Sequence, residues 1–213
     1  MAKSKSPLFG IDASGAIGDS VVYASWRGVK YARQYVVPSN PRTEEQMMTR
    51  SCFSFLNGLW AKMPGLGREP WRLYVAGKPM IDRNAFIKIN LPQLREANSL
   101  NGFVASPGVA GGFPLVSFTV TGGAGQIQAS AGVATLPAGW SVASVIFMVI
   151  NQQDPHGSFS GDVLVQADTT APYSVTFTGL SAGDYVVTAW AKYVRPDGKD
   201  AYGPSLIQSV TVS

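Results

Sequence analysis

Histidine and cysteine each occur once in this chain, as His156 and Cys52. A lone cysteine excludes an intramolecular disulfide and a cysteine-rich metal site, so folding must rest on packing. A lone histidine leaves little material for acid–base or nucleophilic chemistry. Charge is also scarce: Asp, Glu, Lys and Arg make up 14% of the 213 residues, against roughly 25% in an ordinary soluble domain. Gly, Ser, Thr and Ala take their place, a composition suited to extensive protein contacts. The longest strongly apolar stretch, Val142 to Ile150, is about half of the roughly 20 residues a membrane helix requires. The opening Met-Ala-Lys-Ser-Lys-Ser-Pro is followed by no apolar run of signal-peptide length, so export is not expected.

What is present divides in two. Residues 1–101 hold 14 Lys and Arg against 7 Asp and Glu, whereas residues 102–213 hold 3 against 6. Near Asn98 the charge disappears and Gly, Pro, Ser and Asn cluster as far as Pro114. This composition predicts a linker over 99–114 between a basic α+β domain over 1–98 and a second domain over 115–213.

In the second domain strands and turns follow one another throughout. Leu115 to Thr121 and Gln126 to Ala131 alternate apolar and small polar residues around Gly122-Gly123-Ala124-Gly125. Trp140 to Asn151, Asp162 to Ala167, Tyr173 to Thr178, Gly183 to Arg195 and Leu206 to Val212 complete seven expected strands. Seven short strands at this spacing predict a β-sandwich, in which each strand hides one face.

The basic half reads differently. Asp19 to Trp26 and Val29 to Val37 flank Arg27-Gly28, the spacing of a β-hairpin whose turn tolerates positive φ. Thr43-Glu44-Glu45-Gln46 fits a capping box, with Thr43 and Gln46 bonding reciprocally. Met48, Cys52, Phe55 or Leu56, Leu59 and Met63 then recur at helical spacing up to Pro64-Gly65. A second short helix is expected to carry Trp71, Tyr74 and Val75. Arg83 to Asn98 is open between helix and strand.

Two resemblances follow from these residues. Gly179-Leu180-Ser181-Ala182-Gly183-Asp184-Tyr185 resembles the connection between strands E and F of immunoglobulin and fibronectin-III-like domains. That resemblance implies that Leu180 plugs the core and Tyr185 forms a tyrosine corner. Gly15-Ala-Ile-Gly18, Trp26-Arg27-Gly28, Tyr31-Ala-Arg33, Pro38-Ser-Asn40-Pro41-Arg42-Thr43, Gln46, Arg50, Phe53, Trp60, Trp71 and Asn84-Ala-Phe86 together resemble a group of proteins encoded by tailed phages and prophages. This second likeness implies a virion structural protein, made in the host cytoplasm, with a capsid decoration role ahead of a tail or fibre-adaptor one. Its partners would be the major capsid protein or tail proteins, together with self-association in a symmetric assembly.

For partner binding the residues singled out are Tyr23, Trp26, Arg27, Lys30, Tyr31, Arg33, Arg42 and Arg50. Arg, Trp and Tyr are favoured anchors of protein interfaces. The same set offers charge for phosphates and rings for bases, which makes nucleic acid the weaker alternative. Trp140, Trp190, Tyr193 and Tyr202 would serve a glycan as an aromatic platform if exposed, although core positions suit Trp140 and Trp190 better.

No catalytic, cofactor or metal residue is expected, and the chain is read as a non-enzyme. His156 sits in a loop with Asp154 and Ser158 nearby, but a loop does not hold a triad to the required geometry. Cys52 lies on the apolar stripe, where cysteine acts as a small hydrophobe. Gly15-Ala-Ile-Gly18 and Gly108-Val-Ala-Gly-Gly112 lack the Lys-Ser/Thr ending of a phosphate loop. Asp154, Asp162, Asp168, Asp184, Asp197 and Asp200 do not have calcium-loop spacing.

Overall fold

The computed structural model of the chain describes residues 14–26, 29–37, 39–40, 42–97 and 99–213, with Trp26 and Val29 described through their backbone alone. The chain divides into two units, one ending at Arg42 and the other running from Thr43 to Ser213.

The first unit is an antiparallel sheet of three strands in the order β1 (Gly15–Ile17), β2 (Val21–Trp26) and β3 (Val29–Gln34). The expected hairpin is present: Trp26 pairs with Val29 and Val21 with Gln34. Arg27 and Gly28, assigned to its turn, lie outside the described residues. Gly18 takes the left-handed conformation at φ 53° in the β1–β2 turn, where a Cβ would be costly.

Three helices open the second unit: α1 (Glu44–Lys62), α2 (Gly65–Val75) and α3 (Asp82–Ala97). The expected stripe on α1 is the buried one, with Cys52, Phe55, Leu56, Leu59 and Met63 all in the core. Thr43 is the N-cap, in extended conformation, but its side chain makes no capping bond, which corrects the capping-box reading. Thr43 and Gln46 are both exposed, so the first-turn amides face solvent and need no side-chain partner. The segment left open between helix and strand is α3. Its buried Ala85, Phe86, Asn90 and Leu94 are spaced to share one helical face.

Nine strands follow: β4 (Pro107–Val109), β5 (Leu115–Gly123), β6 (Gln126–Val133), β7 (Ser141–Asn151), β8 (Val163–Asp168), β9 (Tyr173–Thr178), β10 (Gly183–Val194), β11 (Asp200–Pro204) and β12 (Leu206–Val212). All seven expected strands are among them. One sheet has the order β4-β11-β10-β7-β8, with β12 also on β10, and the other is β5-β6-β9. The two sheets enclose a core of Leu115, Ile127, Phe147, Phe177, Val187 and their neighbours, the β-sandwich the turns predicted. Tyr185 Oη donates to the Ser181 carbonyl at 2.9 Å, which makes the tyrosine corner, and Leu180 packs half-buried on the same core.

The larger sheet is covered on its other side as well. Ile146, Met148 and Ile150 of β7 and Val186 and Trp190 of β10 share a second core with Phe55, Leu59, Trp71 and Phe86 of the helices. Their alternate neighbours Val145, Phe147, Val149, Val187 and Ala189 face the smaller sheet. The second unit is therefore three layers, helices on sheet on sheet.

This layering corrects the predicted division into a 1–98 domain, a 99–114 linker and a 115–213 sandwich. Leu100, Phe103 and Ala105 are buried in the helix-side core. Buried Asn90 on α3 accepts from the Val104 amide at 2.7 Å and donates to its carbonyl at 3.1 Å. Trp71 Nε1 donates to the Ala105 carbonyl at 2.8 Å, and Ser106 Oγ donates to the Gly203 carbonyl at 2.7 Å. The segment is a strap bonded to the helices on one side and to β11 on the other. Its glycines serve close approach: a Cβ on Gly112 would strike the Tyr202 carbonyl, and one on Gly203 the Phe113 carbonyl.

Candidate functional site

Register decides which residues of the first unit share a face, because side chains alternate along a strand. Val21, Tyr23 and Ser25 oppose Gln34, Ala32 and Lys30, and Ile17 opposes Val21, so these form one face. Val22 and Ala24 oppose Arg33 and Tyr31, and Ala16 opposes Val22, forming the other. The eight singled-out residues therefore do not make one patch. Tyr23 and Lys30 lie on one face and Tyr31 and Arg33 on the opposite one. Arg42 is exposed ahead of α1, and Arg50 is exposed on α1 with Gln46 and Phe53, the three spaced along one helical stripe. Arg27 lies outside the described residues, and Trp26 is placed only by its pairing with Val29.

No described side chain of the first unit is buried. Ile17 is 56% exposed, Tyr31 40%, and Val36 and Val37 beyond β3 are 67% and 73%. A sheet this small ordinarily needs an apolar face covered before it is stable. Charge follows the same boundary. Residues 1–42 contain six Lys and Arg against two Asp, while residues 43–213 contain eleven of each sign, so the whole net charge of +4 belongs to the first unit.

Within the second unit a different cluster forms, which the sequence did not indicate. Glu69 of α2 accepts from the buried Tyr202 hydroxyl of β11 at 2.6 Å, and Lys192 of β10 lies 2.9 Å from Asp200 and 3.6 Å from Glu69. With Arg72, Leu73 and Ala76 they line a shallow cavity of about 340 Å³. Burial, then the bond to Glu69, holds the Tyr202 hydroxyl far above the usual tyrosine range. Burial by itself would depress Lys192, but Asp200 and Glu69 outweigh it and the net direction is upward. A phenol and an ammonium both held protonated cannot serve as general bases near neutral pH. What they do is clasp α2 to the sheet. Glu69 and Tyr202 stand 133 positions apart, and no local spacing announces such a pair.

The remaining candidates resolve structurally. Asp154 Oδ1 accepts from the His156 amide at 2.8 Å and lies 3.0 Å from His156 Nδ1, which is the geometry of an Asx turn. The same loop is anchored by Phe159, whose ring meets Phe55 edge-on at 5.3 Å. Cys52 is fully buried, and that burial pushes its thiol up. Asp168 is held low by the amides of Thr170 and Ser174, and Asp184 accepts from Thr211. No group of three His, Cys, Asp or Glu among the described residues is arranged to hold a metal ion. The aromatic platform is corrected outright. Trp190, Tyr193 and Tyr202 are buried, and Trp140 is half-buried against Phe113 and Tyr193 at 5.0 and 6.4 Å. These rings belong to the cores and offer no sugar a face.

No family model and no curated protein matches the chain. Among solved structures, it is similar to the fibronectin(III)-like modules of Clostridium thermocellum CbhA, at 29% identity over 46% of this chain and 92% of that one, with a TM-score of 0.28. A structure described as a myokine is similar at 15% identity over 48% of this chain and 99% of that one, with a TM-score of 0.34. The sandwich assignment itself rests on the strand order and the two cores described above.

Proposed function

We propose that this chain is a non-enzymatic structural protein of a tailed-phage particle, held on the capsid or tail lattice through its N-terminal sheet. The observation that carries the proposal is the β1–β3 sheet, whose described side chains are all left at least partly exposed. A preformed sheet with exposed Ile17 and Tyr31 gains its missing burial from a partner surface. The stretch through which the chain resembles the phage-encoded group, Gly15 to Phe86, includes this exposed sheet. Docking repeated around a symmetric lattice lets modest contacts per copy sum by multivalency. Capsid decoration is the form of this reading we favour, because these residues carry no long repeats of the fibre kind.

Cryo-electron microscopy of intact particles carrying the gene tests it. Density for the chain on the capsid, with residues 14–37 against the major capsid protein, is the expected result. Density on the tail keeps the structural class and moves the docking site. Absence from every particle overturns the proposal.

A further inference from the structure

Granting that docking reading, we infer that the partner contributes an extended strand with acidic side chains, which adds to the outer edge of β3. Three observations converge on this. First, β2 is paired on both sides, whereas β3 pairs only with β2 among the described residues. Alternate backbone groups of β3 point away from β2, toward the edge at which a further strand adds.

Second, the sequence of β3 is Val-Lys-Tyr-Ala-Arg-Gln. It contains no proline to remove a ladder donor, no glycine and no acidic residue, and its charges are the two cations Lys30 and Arg33. Six residues is also an ordinary strand length, enough for a full ladder.

Third, charge selects the occupant. The entire net charge of +4 lies in residues 1–42, and β3 itself carries Lys30 and Arg33. A second copy is a poor partner for this edge. The two-fold antiparallel register that pairs all six residues sets Lys30 opposite Arg33 twice, and like charges directly across a ladder destabilise it. The same two cations that oppose self-pairing favour an acidic strand. Nucleic acid would answer the charge but not the row of edge amides and carbonyls.

The test uses the full chain and particles grown without its gene and emptied of genome, each preparation compared before and after nuclease treatment. Binding is measured at several salt concentrations, and amide exchange over residues 29–34 is followed by mass spectrometry in the free and bound chain. Strand addition predicts new protection of about half the β3 amides on binding. It also predicts a roughly tenfold or larger loss of affinity in Arg33→Glu, with the melting curve of the free chain unchanged. Binding without new β3 protection means docking through a sheet face and overturns the strand-addition inference while leaving the docking reading intact. Unchanged affinity in Arg33→Glu overturns the acidic partner. Binding abolished by nuclease assigns the charge to nucleic acid. β3 protection that appears in the concentrated free chain assigns the edge to a second copy. Failure to bind any particle overturns the docking reading itself.

Discussion

Both units contain a central antiparallel strand, and the two are treated in opposite ways. β7 in the sandwich has seven consecutive buried residues, Ser144 to Ile150, alternating between the helix-side and sheet-side cores. β2 in the N-terminal sheet is also paired on both sides, yet none of its described side chains is buried. Hydrogen-bonded pairing is satisfied equally in both cases. What differs is the apolar surface removed from water, the dominant favourable contribution to folding. The second unit therefore buries the apolar surface that stabilises it, whereas no described side chain of the first is buried.

The comparison breaks most visibly at Trp190, which is fully buried in the layer between helices and sheet. Trp190→Ala is expected to cost about 3–5 kcal/mol, read as a drop in the denaturation midpoint of the second unit. Gly203→Ala, whose new Cβ would meet the Phe113 carbonyl, should cost about 1–3 kcal/mol through displacement of the strap from β11. A midpoint equal to that of the parent would show that the strap shifts freely.

Alkali acts on the same unit. Burial pushes the Tyr193 hydroxyl up to about 12 and that of Tyr202 higher still, so the folded state holds protons the unfolded chain releases near pH 10. A raised folded value gives stability that is complete below pH 10 and declines as pH rises toward 12. A denaturation series between pH 8 and 12 should show that decline, and a flat profile would place these hydroxyls in solvent. Tyr185→Phe removes the hydroxyl's bonds to Ser181, to the carbonyl at 2.9 Å and to Oγ at 3.2 Å, and should cost about 1 kcal/mol. The smallest effect is expected in the first unit. Tyr31→Ala should change the stability of the chain by no more than about 0.5 kcal/mol, while weakening attachment to particles. A large loss of stability there would mean that the sheet has a core after all.

Much of the second unit was readable in advance. Alternation and turn residues located all seven strands, and Leu180 and Tyr185 were assigned from one local motif. The α1 stripe was equally plain, because Cys52, Phe55, Leu59 and Met63 recur at helical spacing. Reading 99–114 as a linker failed because Gly, Ser and Asn suit a solvated loop and a close-packed strap alike. Gly112 and Gly203 are small in order to let backbones meet, and the buried Asn90 satisfies the Val104 amide 14 positions away. One cue was present. Val145 to Ile150 is continuously apolar, the signature of a strand buried on both faces, and it implied a layer above the sandwich. For the docking surface, the residue types were visible but their grouping was not. One register places Tyr23 with Lys30 and, behind them, Tyr31 with Arg33.

By itself the sequence determined the local elements, since helix and strand periods, turn residues and the tyrosine corner act over a few neighbouring positions. It also determined the excess of positive charge near the N-terminus. Only the tertiary structure decided that the helices cover the sandwich, that Glu69 meets Tyr202 and Lys192, and that the β1–β3 sheet is left with no buried side chain among its described residues. These depend on which surfaces meet across long separations, and burial is a property of the meeting and not of either segment alone.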